Sequence, residues 1–322
     1  MNQGQTKRYR QAEQLIKQEK WGPAGDILDA LVEETADPAA TRQLVRVLYK
    51  DHQYVQALSN VLDEPTLFYQ DESSASLAVK ILVQNQRFML ARLFVANAPK
   101  EWQTDLVKMI QTGEQAAQTK YHQTIQQRLK TFYHLGDGSL MEQRQRLEEA
   151  YALPLESFIL GTRFVLRDPF VHYLIKADII ESLRKLKVDT QLDYLWIDNQ
   201  EYQVNPAKLP AQNDVSAVKA VRQIIKDQLG DQDAINFQMA NQQFDLQLMF
   251  LFPRATNVIT DPTEWADFLL ATLNGHEIND DTAVGRWQRR LMTLISTLAQ
   301  AGKWSFSNLD EKHRQIYLQT RG

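Results

Sequence analysis

The sequence predicts an all-α protein with one short β-hairpin, in which an α-solenoid array of helical repeats precedes a second helical domain. Three observations predict this fold class. Glycine and proline are few, 12 and 10 among 322 residues, so long helices meet few interruptions. An aromatic residue followed by alanine recurs across the first hundred residues. One segment near residues 192–204 has the aromatic and β-branched composition of strands.

The repeat is defined by three aromatic residues, Trp21, Tyr54 and Phe88, which are 33 and 34 positions apart. Small or apolar residues occupy matching places around each of them: Ala24, Ala57 and Ala91 three residues later, Leu15, Leu48 and Leu82 six residues earlier, Ala12, Val45 and Val79 nine earlier, and Leu28, Val61 and Val95 seven later. This register is typical of an antiparallel helix pair, because residues three apart share one helix face and alanine permits close approach of two backbones. Such pairs bury their apolar faces by stacking.

The three copies resemble the tetratricopeptide repeat over roughly residues 5–100. The aromatic residue at the turn, the leucine of the first helix and the alanine of the second match that pattern. The sequence departs from it where the first-helix tryptophan is expected, since the residues there are Arg8, Thr41 and Ala75. A plain helical bundle with coincidental spacing is the alternative. We place the repeats in residues 1–112 and a second domain in residues 113–322.

Beyond the repeats, residues 101–134 are predicted to form one long helix or two nearly collinear helices, with Gly113 as the weak point. Their narrow apolar stripe is typical of a connecting strut. Gly136 suits a left-handed helix end, and Ser139 suits the cap of the next helix. An Asp-Pro pair predicts a helix start at Asp37, Asp168 and Asp261.

The hairpin is predicted from strands at 192–197 and 201–204, which a turn at Asp198-Asn199-Gln200 separates. Further helices are expected at about 214–228, 232–251, 262–273, 282–300 and 308–319. Parts of this region resemble segments of uncharacterised bacterial proteins that carry tetratricopeptide-like repeats. These parts are DPFVHYLIKADIIESLRKL, DYLWIDNQEYQVNP, and FLFP followed by EWADFL. That resemblance implies the fold and does not indicate any particular activity.

Composition and motifs exclude several classes of function. The chain has no cysteine, which excludes disulfides, thiolate metal sites and thiol nucleophiles. Its net charge of −4 gives no overall attraction to nucleic acid or anionic lipid, and the arginines at 286, 289 and 290 lack a recognition motif. His276-Glu277 lacks the second histidine of a zinc-protease motif. We therefore expect no catalytic residue, no metal and no cofactor.

Targeting signals are also missing from the sequence. The first thirty residues lack the apolar core of a signal peptide, and no apolar stretch approaches the length of a membrane span. We expect a cytoplasmic protein without a membrane or nucleic-acid partner.

The candidate binding residues form a basic stripe. Arg42, Arg46 and Lys50 are four residues apart on a predicted first helix, and Lys17 and Lys80 flank them on neighbouring first helices. In tetratricopeptide arrays first helices line the concave face, so the resemblance implies that these five residues bind an acidic or C-terminal peptide of a protein partner. The alternative is that these residues form an ordinary solvent-exposed helix face, whose positive charge Glu13 and Asp51 compensate.

Two other functions remain open. One is an enzyme, or an accessory subunit of an enzyme, with its site in the C-terminal domain near the hairpin. The other is self-association through the hairpin edge and the helical segment with the narrow apolar stripe. A conserved pocket with perturbed titratable groups would favour the enzyme, and a long uninterrupted groove would favour a protein-binding scaffold.

Overall fold

The structure is a computed structural model that describes residues 1–230, 233–273, 275 and 281–300. Within these residues it contains sixteen α-helices and a single two-stranded antiparallel sheet. The predicted all-α class with one short hairpin is therefore confirmed. No helix in these ranges is both long and apolar enough to cross a membrane.

The chain forms two compact units. The described part of the first unit consists of residues 1–132 and 148–160. Its N-terminal helices are α1 (Gln3–Lys17), α2 (Trp21–Thr35), α3 (Pro38–Lys50), α4 (Tyr54–Asp63), α5 (Glu72–Gln84), α6 (Phe88–Ala96), α7 (Lys100–Lys120) and α8 (His122–Tyr133), with a 3-10 turn at Pro65–Tyr69. Each helix from α1 to α7 packs against the next, and α5 also packs against α7.

The second unit comprises residues 133–147 and the described residues from 161 onward. The remaining elements of the chain are α9 (Leu140–Ala150), α10 (Leu155–Val165), α11 (Tyr173–Lys185), β1 (Leu192–Leu195), β2 (Glu201–Val204), α12 (Ser216–Leu229), α13 (Ala234–Leu251), α14 (Ala255–Val258), α15 (Pro262–Leu273) and α16 (Ala283–Gln300), with 3-10 turns at Pro206–Lys208 and Gln212–Asp214. Residues 148–160 of α9 and α10 belong to the first unit. The predicted helix at 308–319, together with Trp304, His276 and His313, lies outside the described residues.

The turns before α2, α4 and α6 share one backbone conformation. In each turn one residue has a left-handed φ: 57° at Glu19, 61° at His52 and 56° at Gln86. The following N–H donates to the carbonyl of the leucine that the repeat register singles out: Lys20 to Leu15 at 3.0 Å, Gln53 to Leu48 at 2.9 Å and Arg87 to Leu82 at 2.8 Å. This six-residue hydrogen bond defines a Schellman motif, which satisfies a carbonyl at the end of the first helix.

The repeat register also locates the helix contacts. Trp21, Tyr54 and Phe88 are the first residues of α2, α4 and α6, as predicted. Three residues later, Ala24, Ala57 and Ala91 are each 0% exposed. These alanines lie where a larger side chain would separate the paired backbones.

Gly113 is a packing residue and not a weak point. Helix α7 runs through it without interruption, and α8 begins separately after Tyr121. A Cβ atom on Gly113 would lie 2.3 Å from Cγ1 of Val83 on α5, so only glycine permits this approach of the two helices. The expected domain division between residues 112 and 113 falls inside α7, and that division stays a prediction.

We expect Gly113→Ala to lower the free energy of unfolding by about 1–3 kcal/mol, despite the better helix propensity of alanine, because the stiff Val83 side chain cannot move aside. Urea denaturation measures the change. Val83→Ala removes the clashing Cγ1, so the double variant Gly113→Ala with Val83→Ala should be more stable than the sum of the two single variants implies. Additive single effects would contradict this contact.

Two of the three predicted Asp-Pro helix starts are confirmed. The Asp37 carboxylate accepts hydrogen bonds from the N–H groups of Ala39 and Ala40, and the Asp261 carboxylate does the same for Thr263 and Glu264. The predicted start at Asp168 is wrong, because α11 begins at Tyr173 with His172 as its cap.

Tertiary contacts explain this difference. The buried Gln143 donates to the carbonyl of Phe170 at 2.9 Å and accepts from the N–H of His172 at 2.8 Å. Asp168 accepts from the N–H of Phe170 at 2.8 Å, which closes a turn. These bonds occupy the backbone groups that a helix beginning at Pro169 would use.

The segment before α9 gives one confirmed and one incorrect prediction. Ser139 and Glu142 form a reciprocal cap: the N–H of Ser139 donates to Oε2 of Glu142 at 2.7 Å, and the N–H of Glu142 donates to Oγ of Ser139 at 3.4 Å. The left-handed conformation predicted for Gly136 is wrong, since its φ is outside that region. A Cβ atom at this position would lie 2.6 Å from Oδ2 of Asp168 and 3.1 Å from Cβ of Phe170, so a larger residue would require these neighbours to shift.

The predicted hairpin is present, although β1 ends at Leu195 and not at residue 197. Leu192 pairs with Val204, and Leu195 pairs with Glu201. Hydrogen bonds attach it to the second unit: the N–H of Leu195 donates to the carbonyl of Leu166, and Nε1 of Trp196 donates to the carbonyl of Phe252. A two-stranded sheet is marginal alone, and these attachments hold it in the unit.

Candidate functional site

The five predicted binding residues lie on the first helices of the three helix pairs. Arg42, Arg46 and Lys50 are on α3, where a rise of about 1.5 Å per residue separates successive members by about 6 Å along the axis. Lys17 is the last residue of α1, and Lys80 lies on α5.

Arg42 differs from the other four in its environment. Its side chain is half-buried, and its Nη1 atom is buried without a hydrogen-bond partner. Lys17, Arg46, Lys50 and Lys80 are exposed. Within the described residues, none of the five cations lies within ion-pair distance of a carboxylate. One donor atom of Arg42 is therefore buried without an acceptor.

Tyr9 connects the surfaces of α1 and α3. Burial is the main cause that raises the pKa of Tyr9, and the carboxylates of Glu13 and Asp37 raise it further. Arg42 and Arg46 act in the opposite direction, so both guanidinium groups lie within electrostatic range of the Tyr9 hydroxyl. At neutral pH this hydroxyl is protonated and is a hydrogen-bond donor beside two cations.

Acidic neighbours compensate this surface only in part. Glu13 and Asp37 are close enough to influence Tyr9, but Asp37 already caps α3. Asp51, the predicted counter-charge, accepts from Nε2 of Gln53 at 2.5 Å. It forms no ion pair with the stripe in the described structure.

Aromatic surface lies beside the stripe. Tyr49, between Arg46 and Lys50 in sequence, is half-buried with its ring centroid 5.5 Å from that of Tyr54. The Tyr54 hydroxyl is 2.6 Å from Nδ1 of His52. The α3 surface thus combines cations with an apolar ring face, a combination that suits a peptide better than a free ion.

The structure brings together only part of the predicted set. Arg42 and Arg46 share a surface with Tyr9, and Lys50 continues their stripe by helix geometry. Among the residues that the structure describes, no ion pair or hydrogen bond joins Lys17 or Lys80 to them. The role of these two lysines stays a prediction.

A second group of titratable residues lies in the second unit near the hairpin. Lys176 on α11 is 4% exposed, and its Nζ donates to the carbonyl of Leu195 at 3.3 Å. Burial lowers the pKa of Lys176 to about 8, while Asp168 opposes part of this shift. Burial, with a smaller contribution from Lys176, lowers the pKa of His172 to about 4.

Sequence reasoning missed Lys176. A signal was present, since Lys176, Ile179, Ile180 and Leu183 follow the three- and four-residue spacing of one buried helix face. His172 caps α11 by accepting the N–H of Leu174 at Nδ1. Among the described residues no group of three or more His, Cys, Asp or Glu has the arrangement of a metal site.

No protein-family model, curated protein or solved structure matches this chain, so its function is inferred from its own residues and their contacts.

Proposed function

We propose that the chain is a protein-binding scaffold whose α1–α3 face captures an acidic segment or the C-terminal carboxylate of a partner protein. The observation that carries this proposal is the unpartnered, buried Nη1 of Arg42 on a surface with further unpaired cations. A buried N–H group without an acceptor is costly, and a bound carboxylate would supply the missing acceptor.

The repeat assignment supports a peptide as the ligand. Three turns of the same conformation, each closed onto the equivalent leucine, are what three copies of one helix-pair motif produce. We propose that these copies are tetratricopeptide-like, as the resemblance implies. In such arrays the first helices present extended side chains along a groove.

The chemistry of the face favours a carboxylate. Guanidinium groups bind both oxygens of a carboxylate in a fork, and the neutral Tyr9 hydroxyl adds a donor at the same place. The ring face of Tyr49 offers contact to an apolar residue of the same peptide. An acidic peptide with one apolar residue combines both features.

The direct test is fluorescence anisotropy with labelled acidic peptides that have a free or an amidated C-terminus. We expect Arg42→Glu with Arg46→Glu to abolish binding, because the variant replaces two attractive charges with repulsive ones. Binding to the wild-type chain should weaken as salt rises. Free and amidated peptides distinguish a C-terminal carboxylate from acidic side chains.

The matched control is Lys7→Glu with Arg10→Glu, which makes the same charge change at exposed α1 residues that do not influence Tyr9. This control should bind nearly as well as wild type. A circular-dichroism melt shows whether the double variant folds. If a glutamate at the half-buried position 42 prevents folding, the single variant Arg46→Glu is tested instead. Equal binding by folded wild-type and Arg46→Glu chains would overturn the proposed site.

The second candidate function is an enzyme, or an accessory subunit, with its site near the hairpin. Lys176 favours it, because a lysine with a lowered pKa is a nucleophile or base near neutral pH. His172 lies one helical turn before it and is uncharged at neutral pH.

Trace acetylation with acetic anhydride at pH of about 7.5, followed by peptide mass spectrometry, tests this candidate. A functional Lys176 should react faster than the exposed Lys219, because burial lowers the pKa of Lys176 to about 8 and leaves an appreciable fraction of it as the neutral amine. Slower reaction than Lys219 would show that Lys176 is inaccessible and would overturn a catalytic role.

A further inference from the structure

Helix α13 carries apolar side chains on two opposite faces. One face packs into the second unit, and its buried residues include Ala240, Phe244, Leu248 and Leu251. The opposite face carries a stripe of five residues, which are Ile235, Met239, Gln242, Leu246 and Met249. A helix that packs on one side ordinarily has polar residues on the other, so the fold of a single chain does not account for this outer stripe.

The outer stripe is accessible to solvent, most of all in its N-terminal half. Ile235 is 74% exposed and Met239 is 46% exposed. Gln242, at the centre of the stripe, is also exposed, whereas Leu246 and Met249 are half-buried. The neighbouring helices in the described part of the chain therefore leave an apolar strip along α13 uncovered.

The spacing of the stripe indicates what kind of element covers it. Its successive members are four, three, four and three residues apart. This is the heptad spacing of the seam between two coiled helices, in which the side chains of one helix fit between those of the other. From residue 235 to residue 249 the seam is about 21 Å long, at a rise of about 1.5 Å per residue. The spacing thus favours a second helix as the occupant.

The stripe is complementary to itself when two copies run antiparallel about Gln242. Ile235 then lies opposite Met249 of the second copy, and Met239 lies opposite Leu246. Gln242 meets the same residue of the second copy at the two-fold axis, where each amide supplies both a donor and an acceptor. A closed two-fold interface requires such a self-complementary surface, and one polar residue in an apolar seam fixes its register.

The residues that flank the stripe also suit an identical partner. Asn236, Gln238 and Gln243 are neutral amides, and the carboxylate of Asp245 is paired with Arg222 of α12 at 2.5 Å. A stripe flanked by unpaired charges of one sign would repel its own copy. Here two copies meet without such repulsion.

We propose that α13 is a dimerisation helix, which pairs antiparallel with α13 of a second copy of this chain. A single pair of helices forms a small interface, so the dimer is reversible and depends on concentration. The α1–α3 face contributes no residue to this interface. Peptide binding and dimerisation are therefore tested separately, and the failure of one proposal leaves the other intact.

Sedimentation velocity of the full chain between about 1 μM and about 0.2 mM tests the proposal. We expect the wild-type chain to pass from monomer to dimer within this range. Met239→Glu should weaken the dimer at least about tenfold, because it places a carboxylate of each copy in the apolar seam. The matched control is Met292→Glu, which makes the same change at a residue of α16 that is 39% exposed, and it should dimerise like wild type.

Disulfide cross-linking tests the antiparallel register. The chain has no cysteine, so Gln242→Cys and Ile235→Cys each introduce a single thiol. In the proposed dimer position 242 meets itself, whereas the two copies of position 235 are about 21 Å apart, three times the separation of about 7 Å that a disulfide permits. Mild oxidation should therefore join Gln242→Cys chains into covalent dimers and leave Ile235→Cys chains single. A mixture of Ile235→Cys and Met249→Cys chains should cross-link.

The cross-linking variants keep the proposal testable if Met239→Glu unfolds the chain in a thermal melt. A wild-type chain that stays monomeric at the highest concentration would overturn the proposal. An equal loss of dimer in Met292→Glu would do the same, and so would cross-linking of Ile235→Cys alone as fast as that of Gln242→Cys.

Discussion

Glu114→Leu should lower the free energy of unfolding by about 3–5 kcal/mol, because it leaves the guanidinium of Arg92 unpaired in a nearly dry position. Arg92 donates from Nε to Oε1 of Glu114 at 2.9 Å and from Nη2 to Oε2 at 2.6 Å. The two side chains are 12% and 10% exposed. Oε1 of Glu114 also accepts from the N–H of Leu155 at 3.1 Å. This pair therefore connects three segments of the first unit.

Urea denaturation of the single and double variants distinguishes the contribution of the ion pair to stability from the contributions of the surrounding residues. Arg92→Met with Glu114→Leu should recover part of the loss, since a buried ion pair replaced by apolar side chains is often nearly neutral in stability. The residual cost of about 1–3 kcal/mol reflects the lost acceptor of Leu155.

Asp105→Asn is the control on the same helix. Asp105 and Lys108 form an exposed pair at 3.1 Å, with side chains 74% and 69% exposed. We expect this change to alter stability by less than about 1 kcal/mol. A loss in Glu114→Leu no larger than in this control would contradict the structural role of the buried pair.

The stability of the wild-type chain should rise with pH between about pH 8 and pH 9.5 because of Lys176. Burial lowers the pKa of Lys176 from its ordinary value of 10.5 to about 8, and Asp168 opposes the shift. Between these two values the unfolded chain retains a proton that the folded chain has released, so the free energy of unfolding increases with pH. The slope is at most about 1.4 kcal/mol per pH unit.

Lys176→Met should remove this slope and should be more stable than wild type at neutral pH by roughly 1–3 kcal/mol, because methionine carries no charge to desolvate. Urea denaturation from about pH 7 to pH 9.5 measures both effects. Measurements stop there because Tyr173 and Tyr194, whose pKa values burial raises to about 12, add an opposite slope above about pH 10.

Lys219→Met provides the matched control, since Lys219 is 60% exposed in the same unit. It should retain the wild-type slope. A slope that persists unchanged in Lys176→Met would show that other groups cause the pH dependence.

Local sequence signals predicted most elements of this fold. The Asp37 cap, the reciprocal Ser139–Glu142 cap and the helix starts at Trp21, Tyr54 and Phe88 depend on residues within one or two turns, so spacing suffices to locate them. The hairpin was predictable for the same reason, because its strands are short and adjacent in sequence.

The candidate site was predictable only in part. Four-residue spacing placed Arg42, Arg46 and Lys50 on one face of α3, as a regular helix requires. The burial of Nη1 of Arg42 and its proximity to Tyr9 depend on the packing of other helices, and Lys176 differs from exposed lysines only through such packing. Spacing within one helix contains no information about its neighbours.

The Asp-Pro pairs show what sequence alone determined and what tertiary structure decided. At Asp37 and Asp261 the aspartate carboxylate caps the first turn, and the local preference for a helix start prevails. At Asp168 the buried Gln143, 25 positions earlier in the chain, binds the backbone of Phe170 and His172 and moves the start to Tyr173. The sequence thus determined where helices and turns are favoured. Tertiary structure decided the outcome where a buried hydrogen bond, which contributes more than a local preference, engages the backbone groups that a helix start would use. It also decided the role of Gly113, whose close contact with Val83 depends on the packing of α7 against α5.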